Sequence, residues 1–189
     1  MAVHSIQQIA RPILITLSPD DYPTIIIDPR HREYAWSVPL SQFPDFPTEV
    51  QFGTYPLTDE APGLGGEIRG VDALFWMIGL SSFAGAPATW LRWGDKFKLK
   101  WWPDLDVIPH TPEQAKLVKT IARGLMTTEK LASLAGSGIA EAQNVINALS
   151  LMGALRHVAD RSSAPTTPPI TPEMDARIPD RGRHSRRGG

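Results

Sequence analysis

The chain has 189 residues, 42% of them hydrophobic, with six Trp and no Cys. This composition is typical of a folded globular protein and excludes disulfides, thiol catalysis and cysteine zinc sites. The formal net charge of −1 conceals a split: residues 161–189 contain six Arg and three acidic residues, so residues 1–160 carry −4. With no signal-peptide pattern and no apolar run of about 18 residues, we expect a cytoplasmic protein without a membrane span.

Four short strands are predicted in the first third of the chain. Turn-rich segments, SPDDYP and DPRHR among them, separate four runs of β-branched and aromatic residues at 13–17, 24–28, 33–38 and 49–57. Sequential strands with short links predict an antiparallel meander.

A buried helix is predicted over residues 71–83, where VDALFWMIGLSSF repeats apolar residues at helical spacing. The preceding residues 58–70 form a predicted loop. Its GLGGEIRG stretch lacks the Lys of a phosphate-binding P-loop and the glycine spacing of a dinucleotide site, so we predict no cofactor. Further along, DKFKLKWW (95–102) alternates Lys with apolar residues, which predicts a strand with its lysines in water.

Three short helices are predicted after residue 110. Thr111 begins a capping box with Pro at the first helical position, and Thr127 caps a second helix. A glycine turn then leads into a third helix that ends near Met152, and Leu155–Val158 can add one wing strand.

These elements predict an α+β protein in three parts. An antiparallel β-rich domain with a buried helix occupies 1–109, a winged helix-turn-helix-like domain occupies 110–160, and a disordered Pro/Arg-rich tail occupies 161–189. The alternative for the second part is a plain helical hairpin that completes the core of the first.

The predicted third helix is poorly equipped to read DNA. Base readout and phosphate binding need cationic side chains, yet Glu141 is the only charged residue between Gly138 and Met152. We expect the unit to dock a protein partner or a second copy of the chain. The candidate contact residues on this helix are Gln143, Asn144 and Asn147.

The segment WLRWGDKFKLKWW (90–102) offers further candidate anchors, because Trp and Arg are favoured at protein interfaces. They are Trp90, Arg92, Trp93 and Trp102. Aromatic rings among cations could alternatively stack single-stranded nucleic acid. The tail could hold nucleic acid or an acidic partner by charge, or could only aid solubility. Its candidate residues are Arg177, Arg181, Arg183, Arg186 and Arg187.

No reaction is predicted for this chain. The five His are scattered, the acidic pairs lie in turn-rich segments, and no Ser has a nucleophile-elbow context. We therefore expect neither catalytic residues nor a metal site.

Three stretches carry a family resemblance: RGVDALFWMIGL (69–80), KLKWWPDL (98–105) and HTPEQAKLVKTIA (110–122). Their order resembles that of small proteobacterial proteins found alongside Ras-like GTPases and roadblock-type proteins in polarity, surface-motility or signalling systems. The resemblance covers about half the chain and includes no catalytic signature. It implies a cytoplasmic bacterial adaptor or regulator of a GTPase or pilus switch, and it assigns no residue a role. The alternative function is a nucleic-acid-binding regulator that uses the winged helix and the Arg-rich tail.

Overall fold

The computed structural model describes residues 13–44, 50–56 and 67–159. The fold is α+β, with a five-stranded sheet, four helices and a two-stranded ribbon. The strands are β1 (Ile13–Pro19), β2 (Ile25–Asp28), β3 (Glu33–Ala35), β4 (Val50–Pro56), β5 (Ile68–Gly70), β6 (Lys96–Leu99) and β7 (Leu155–Val158), and the helices are α1 (Val71–Ser81), α2 (Pro112–Ile121), α3 (Thr128–Ala135) and α4 (Ile139–Leu151).

The five-stranded sheet is antiparallel, with strand order β4-β1-β2-β3-β5. The four predicted strands all lie in this sheet, and β1, β2 and β3 are neighbours in chain order as a meander requires. The predicted meander is wrong for β4, which pairs with β1 at the opposite edge and not with β3. The fifth, β5, was expected to be loop because its three residues follow a glycine-rich stretch. It pairs with β3 and places Arg69 opposite Tyr34. The rest of the predicted loop, up to residue 66, lies outside the described residues.

One turn of the meander is held by a buried carboxylate. Asp28 is 2% exposed and ends β2. Its two oxygens accept hydrogen bonds from Arg30 Nε at 3.0 Å and Arg30 Nη2 at 2.7 Å, and the Arg30 backbone N–H donates to it at 3.0 Å. These bonds from Arg30 lower the pKa of Asp28 to about 2.

The helix caps follow the sequence prediction. The Thr111 hydroxyl accepts from the Gln114 N–H at 3.2 Å while the Gln114 side chain accepts from the Thr111 N–H at 3.0 Å, which completes the capping box at α2. Thr127 caps α3 by accepting from the Lys130 N–H. Gly136 ends α3 in the left-handed conformation, with φ of 63°.

A single cluster of buried apolar side chains runs through the described residues and across the predicted boundary at residue 109. It joins the sheet residues Ile15 and Tyr34 to Trp76 of α1 and Leu149 of α4. The ribbon also crosses that boundary, because β6 pairs antiparallel with β7. The chain segments on the two sides of residue 109 are therefore packed together.

Candidate protein-binding surface

Polar residues of α4 take part in a largely buried hydrogen-bond network. The Thr128 hydroxyl lies 2.9 Å from Gln143 Oε1, and Gln143 Nε2 donates to Asn147 Oδ1 at 3.0 Å. Asn147 then donates to the Ala86 carbonyl at 2.9 Å and accepts from the Ala88 N–H at 3.1 Å. The structure corrects the expectation that Gln143 and Asn147 contact a partner: they are 1% and 0% exposed, and their amides are engaged with each other, with Thr128 and with the backbone of Ala86 and Ala88.

The loop of residues 84–90, which we call the covering loop, lies along α4. The Gly85 N–H donates to Asn144 Oδ1 at 3.0 Å, and Trp90 Nε1 donates to the Ser150 hydroxyl at 3.0 Å. The Trp90 ring also meets Phe83 edge-to-face at 5.8 Å. Asn144 and Trp90, both partly buried, are thus already engaged within the chain, which corrects their expected role as free partner contacts.

Helix α1 covers another side of α4. A Cβ built on Gly79 would lie 2.2 Å from Ala148 Cα, so the two helix backbones touch at this point. Eight residues of α4 are buried. A recognition helix must insert an exposed face into the DNA major groove. Here α1, α3 and the covering loop cover most of α4, and its exposed residues, Ile139 at 49% among them, lie at its N-terminal end.

The β6–β7 ribbon has one buried and one exposed side. At the edge of β6 away from β7, the Phe97 N–H donates to the Met126 carbonyl at 2.8 Å and the Met126 N–H donates to the Phe97 carbonyl at 3.0 Å. The ring of His157, which lies opposite Phe97 in the ribbon, stacks on Phe97 at 5.5 Å. Strand β6 is therefore the middle of a three-segment arrangement, with Met126 on one side and β7 on the other.

Asp95 stabilises the turn that leads into β6 of the ribbon. Its side chain is 1% exposed, and Oδ2 lies 2.7 Å from His157 Nε2. The same oxygen accepts from the Arg92 N–H at 2.9 Å. A turn over residues 92–95 results, with Gly94 at φ of 87° and Trp93 at its tip.

The exposed side of the ribbon is cationic. Strand pairing places Lys98 directly opposite Arg156 and Lys96 opposite Val158, and all four residues are exposed. We call these residues the basic ribbon face. Within the described ranges none of its three cations forms an ion pair. The predicted alternation of β6 is confirmed, because Phe97 between the lysines is buried.

Two exposed tryptophans flank β6 in sequence. Trp93 precedes the strand and is 49% exposed, and Trp102 follows it and is 50% exposed. Arg92, next to Trp93, is also exposed. These three remain available to a partner. In contrast, Trp101 points inward and donates from Nε1 to the Gly153 carbonyl at 3.1 Å.

Two open clefts adjoin the end of α4, and Lys100 lines both. The first, of about 340 Å³, also contains Arg32, whose guanidinium bonds the Asp72 carboxylate. The second, of about 310 Å³, contains Trp90 and His157. Three charged side chains line the first cleft, Arg32, Asp72 and Lys100, while the second is lined by apolar residues together with Lys100, Ser150 and His157.

Three further features concern only the residues that the structure describes. They contain no group of three or more His, Asp or Glu side chains suited to a metal ion. None of their helices has the length and apolar character needed to cross a membrane. The Arg177, Arg181, Arg183, Arg186 and Arg187 candidates of the tail lie outside them.

Sequence reasoning missed two parts of this surface. The sequence predicts Arg156 and Val158 only as part of a wing strand, and their pairing with β6 joins residues about 60 positions apart, which no local pattern reveals. The contact of Asp95 with His157 spans a similar distance in sequence. Comparisons with protein-family models, with curated sequences and with solved structures found no match to this chain.

Proposed function

We propose that this chain is a non-enzymatic adaptor, and that the basic ribbon face docks an acidic segment of a protein partner. The observation that supports this most directly is the direct opposition of Lys98 and Arg156, with Lys96 two residues along the same strand face. Like charges in opposed positions of a β-ribbon destabilise it by about 0.2–1 kcal/mol. A carboxylate-bearing partner would turn that cost into a favourable interaction.

Charge distribution favours a short acidic protein segment over a long nucleic acid. Residues 1–160 carry a net −4, so the ribbon is a local cationic surface on an acidic body. Duplex DNA presents one charge per about 1.7 Å, and binding it requires the neutralisation of many phosphates. Three cations suit a few carboxylates better, and the buried α4 supplies no base contacts.

Trp93 is the proposed apolar anchor of the interface. It lies at the tip of the turn fastened by Asp95, so its backbone is held before binding, and half of its surface is exposed. Tryptophans that become buried at interface centres often contribute about 2 kcal/mol or more. We expect Trp93→Ala to weaken partner binding about 30-fold.

We further propose that residues 97–158 contain a winged-helix-like unit with an unusual wing. In a winged helix, three helices are followed by a wing strand. Here α2, α3 and α4 precede β7, and the neighbouring strand β6 comes from before the first of these helices. The contact of Phe97 with Met126, between α2 and α3, supports this arrangement.

The partner to test first is a Ras-like GTPase or a roadblock-type protein in a bacterial polarity, motility or signalling system. This choice rests on the sequence resemblance. The ribbon adds a chemical requirement, which is that the partner presents an acidic segment.

The test compares three forms of the full chain as bait in nuclease-treated extract of its native cells. The first is wild type, and the second carries Lys96→Glu, Lys98→Glu and Arg156→Glu. The third carries Lys116→Glu, Lys119→Glu and Lys130→Glu, which reverses three exposed cations on α2 and α3 and changes net charge equally.

The expected result is a set of proteins retained by wild type and by the helix variant and lost from the ribbon variant. Identification of a GTPase or roadblock-type protein in that set would name the process. Equal retention by all three baits would overturn the ribbon as the docking surface. Recovery of nucleic acid in untreated extract, with no protein surviving nuclease, would instead favour the nucleic-acid-binding regulator.

A further inference from the structure

The edge strand β4 lacks the features that normally prevent strands from pairing with other chains. It is seven residues long, VQFGTYP, and contains no charged residue. Val50, Phe52 and Tyr55 are 43–46% exposed. In the part of the chain that the structure describes, β1 is its only strand neighbour. Charged residues, very short strands or bulges usually protect such an edge.

The opposite edge of the same sheet shows this protection. Strand β5 has three residues, and Arg69 within it forms an ion pair with the adjacent Glu67. The sheet therefore has one short, charged edge and one long, uncharged edge. The difference singles out β4 as the edge with a place for another strand.

The apolar side of the sheet continues to this edge. Strand pairing places Ile25 beside Leu17 and Leu17 beside Phe52. The first two are buried, at 1% and 5% exposed, while Phe52 is 46% exposed. The row of apolar side chains thus reaches beyond the cover of the core at Phe52, where a neighbouring strand could cover the exposed ring.

We propose that β4 pairs antiparallel with β4 of a second copy of this chain, which joins two sheets into one of ten strands. Full overlap of residues 50–56 with themselves centres the pairing on Gly53 and places Phe52 of each copy opposite Thr54 of the other. A two-fold axis then relates two identical surfaces, as in most homodimers.

Charge favours a second copy as the occupant. The strand carries no charged side chain that would select a different partner by electrostatics, and a formal net charge of −1 means that two copies repel each other weakly. Strand addition pairs backbone donors and acceptors along an edge without any specific side chain. The dimer leaves the basic ribbon face, on a different sheet, unoccupied.

The test measures the oligomeric state of the full chain by sedimentation over a range of concentrations. Wild type should show a reversible dimer. Phe52→Lys should raise the dimer dissociation constant by about tenfold or more, because an ammonium replaces the apolar ring at the paired edge. Leu134→Lys, at a 53% exposed site on α3, is the matched control and should dimerise like wild type.

A charge-pair variant tests the register. Adding Thr54→Glu to Phe52→Lys places a new carboxylate of one copy opposite the new ammonium of the other, twice across the axis, and should restore dimerisation. If Phe52→Lys does not fold, Gln51→Lys with Thr54→Lys at two exposed positions replaces it. A wild type that stays monomeric at all concentrations, or a dimer unaffected by either variant, would overturn the proposal. Neither outcome bears on ribbon binding.

Discussion

Gly79 of α1 lies against Ala148 of α4 so closely that a Cβ on the glycine would stand 2.2 Å from the Ala148 Cα and 2.4 Å from its backbone nitrogen. Carbon atoms that are not bonded normally stay about 3.5–4.0 Å apart. The two helices can meet here only because residue 79 has no side chain. A glycine inside a helix costs about 1 kcal/mol relative to alanine. Close packing of the two helices therefore requires glycine at residue 79, although alanine would have the better helix propensity.

Replacing Gly79 by Ala should therefore destabilise the protein despite the better helix propensity of alanine. We expect a loss of about 3 kcal/mol in the free energy of unfolding, measured by urea denaturation, because the added methyl forces α1 away from α4. Gly124→Ala is the control, since nothing lies within 4 Å of a Cβ at that position. Equal effects of the two substitutions would contradict the close contact.

Asn147→Ala should cost about 2–4 kcal/mol of stability. The substitution leaves the buried Ala88 N–H and Gln143 Nε2 without their acceptor, and each unpaired buried group costs about 1–3 kcal/mol. Asn144→Ala removes one hydrogen bond, from Gly85, at a partly exposed site, so about 1 kcal/mol is expected. Thermal unfolding of both variants measures the two losses of stability. A larger loss in Asn144→Ala than in Asn147→Ala would contradict the prediction.

Lys98→Glu should stabilise the folded chain while it weakens partner binding. The new carboxylate faces Arg156 and replaces a repulsive cross-strand pair by an attractive one, worth about 0.2–1 kcal/mol. The gain should shrink at high salt because the pair is exposed. Lys119→Glu, in the last turn of α2, should instead lose a few tenths of a kcal/mol through the helix dipole. A loss of stability in Lys98→Glu would argue against the opposed cations.

Asp28 should contribute acid-sensitive stability. Because its pKa falls from 3.8 to about 2 on folding, the ionised carboxylate stabilises the fold at pH values above about 4, and this contribution disappears as the pH falls through 2. We expect Asp28→Asn to lose about 2 kcal/mol at pH 7 and progressively less towards pH 2. Urea denaturation between pH 7 and pH 2 measures this difference in stability, with Asp20→Asn, at an exposed position, as the control. A loss of stability in Asp28→Asn that does not change with pH would contradict the prediction.

Local chemistry made most of the elements predictable. The capping box at Thr111, the cap at Thr127 and the glycine after α3 depend on residues within a few positions of each other, so the sequence reports them directly. Strands β1 to β4 follow from β-branched runs between turns. Strand β5 was missed because three residues beside a glycine-rich stretch carry no periodic signal, and its pairing with β3 is a tertiary effect.

The surface was less predictable than the fold because burial depends on contacts between distant segments. The amides of Gln143 and Asn147 look like exposed recognition groups in a helix that is otherwise poor in charge. The backbone partners of Asn147, Ala86 and Ala88, lie about 60 positions away in a loop without a pattern of its own, and Gln143 bonds Thr128 of the preceding helix. Trp93 and Trp102 are exposed and Trp90 is engaged within the chain, a difference that no spacing rule in the sequence predicts.

The basic ribbon face has a consequence for the timing of its assembly. Asp95 and His157 are 62 positions apart, so β6 leaves the ribosome several seconds before β7, at about 5–20 residues per second. During that interval β6 can pair only with the Met126 side. Lys98 acquires Arg156 as its neighbour only once residue 158 has been made. A chain interrupted before that point lacks the basic ribbon face, so this surface exists only in molecules whose α2, α3 and α4 have already been synthesised.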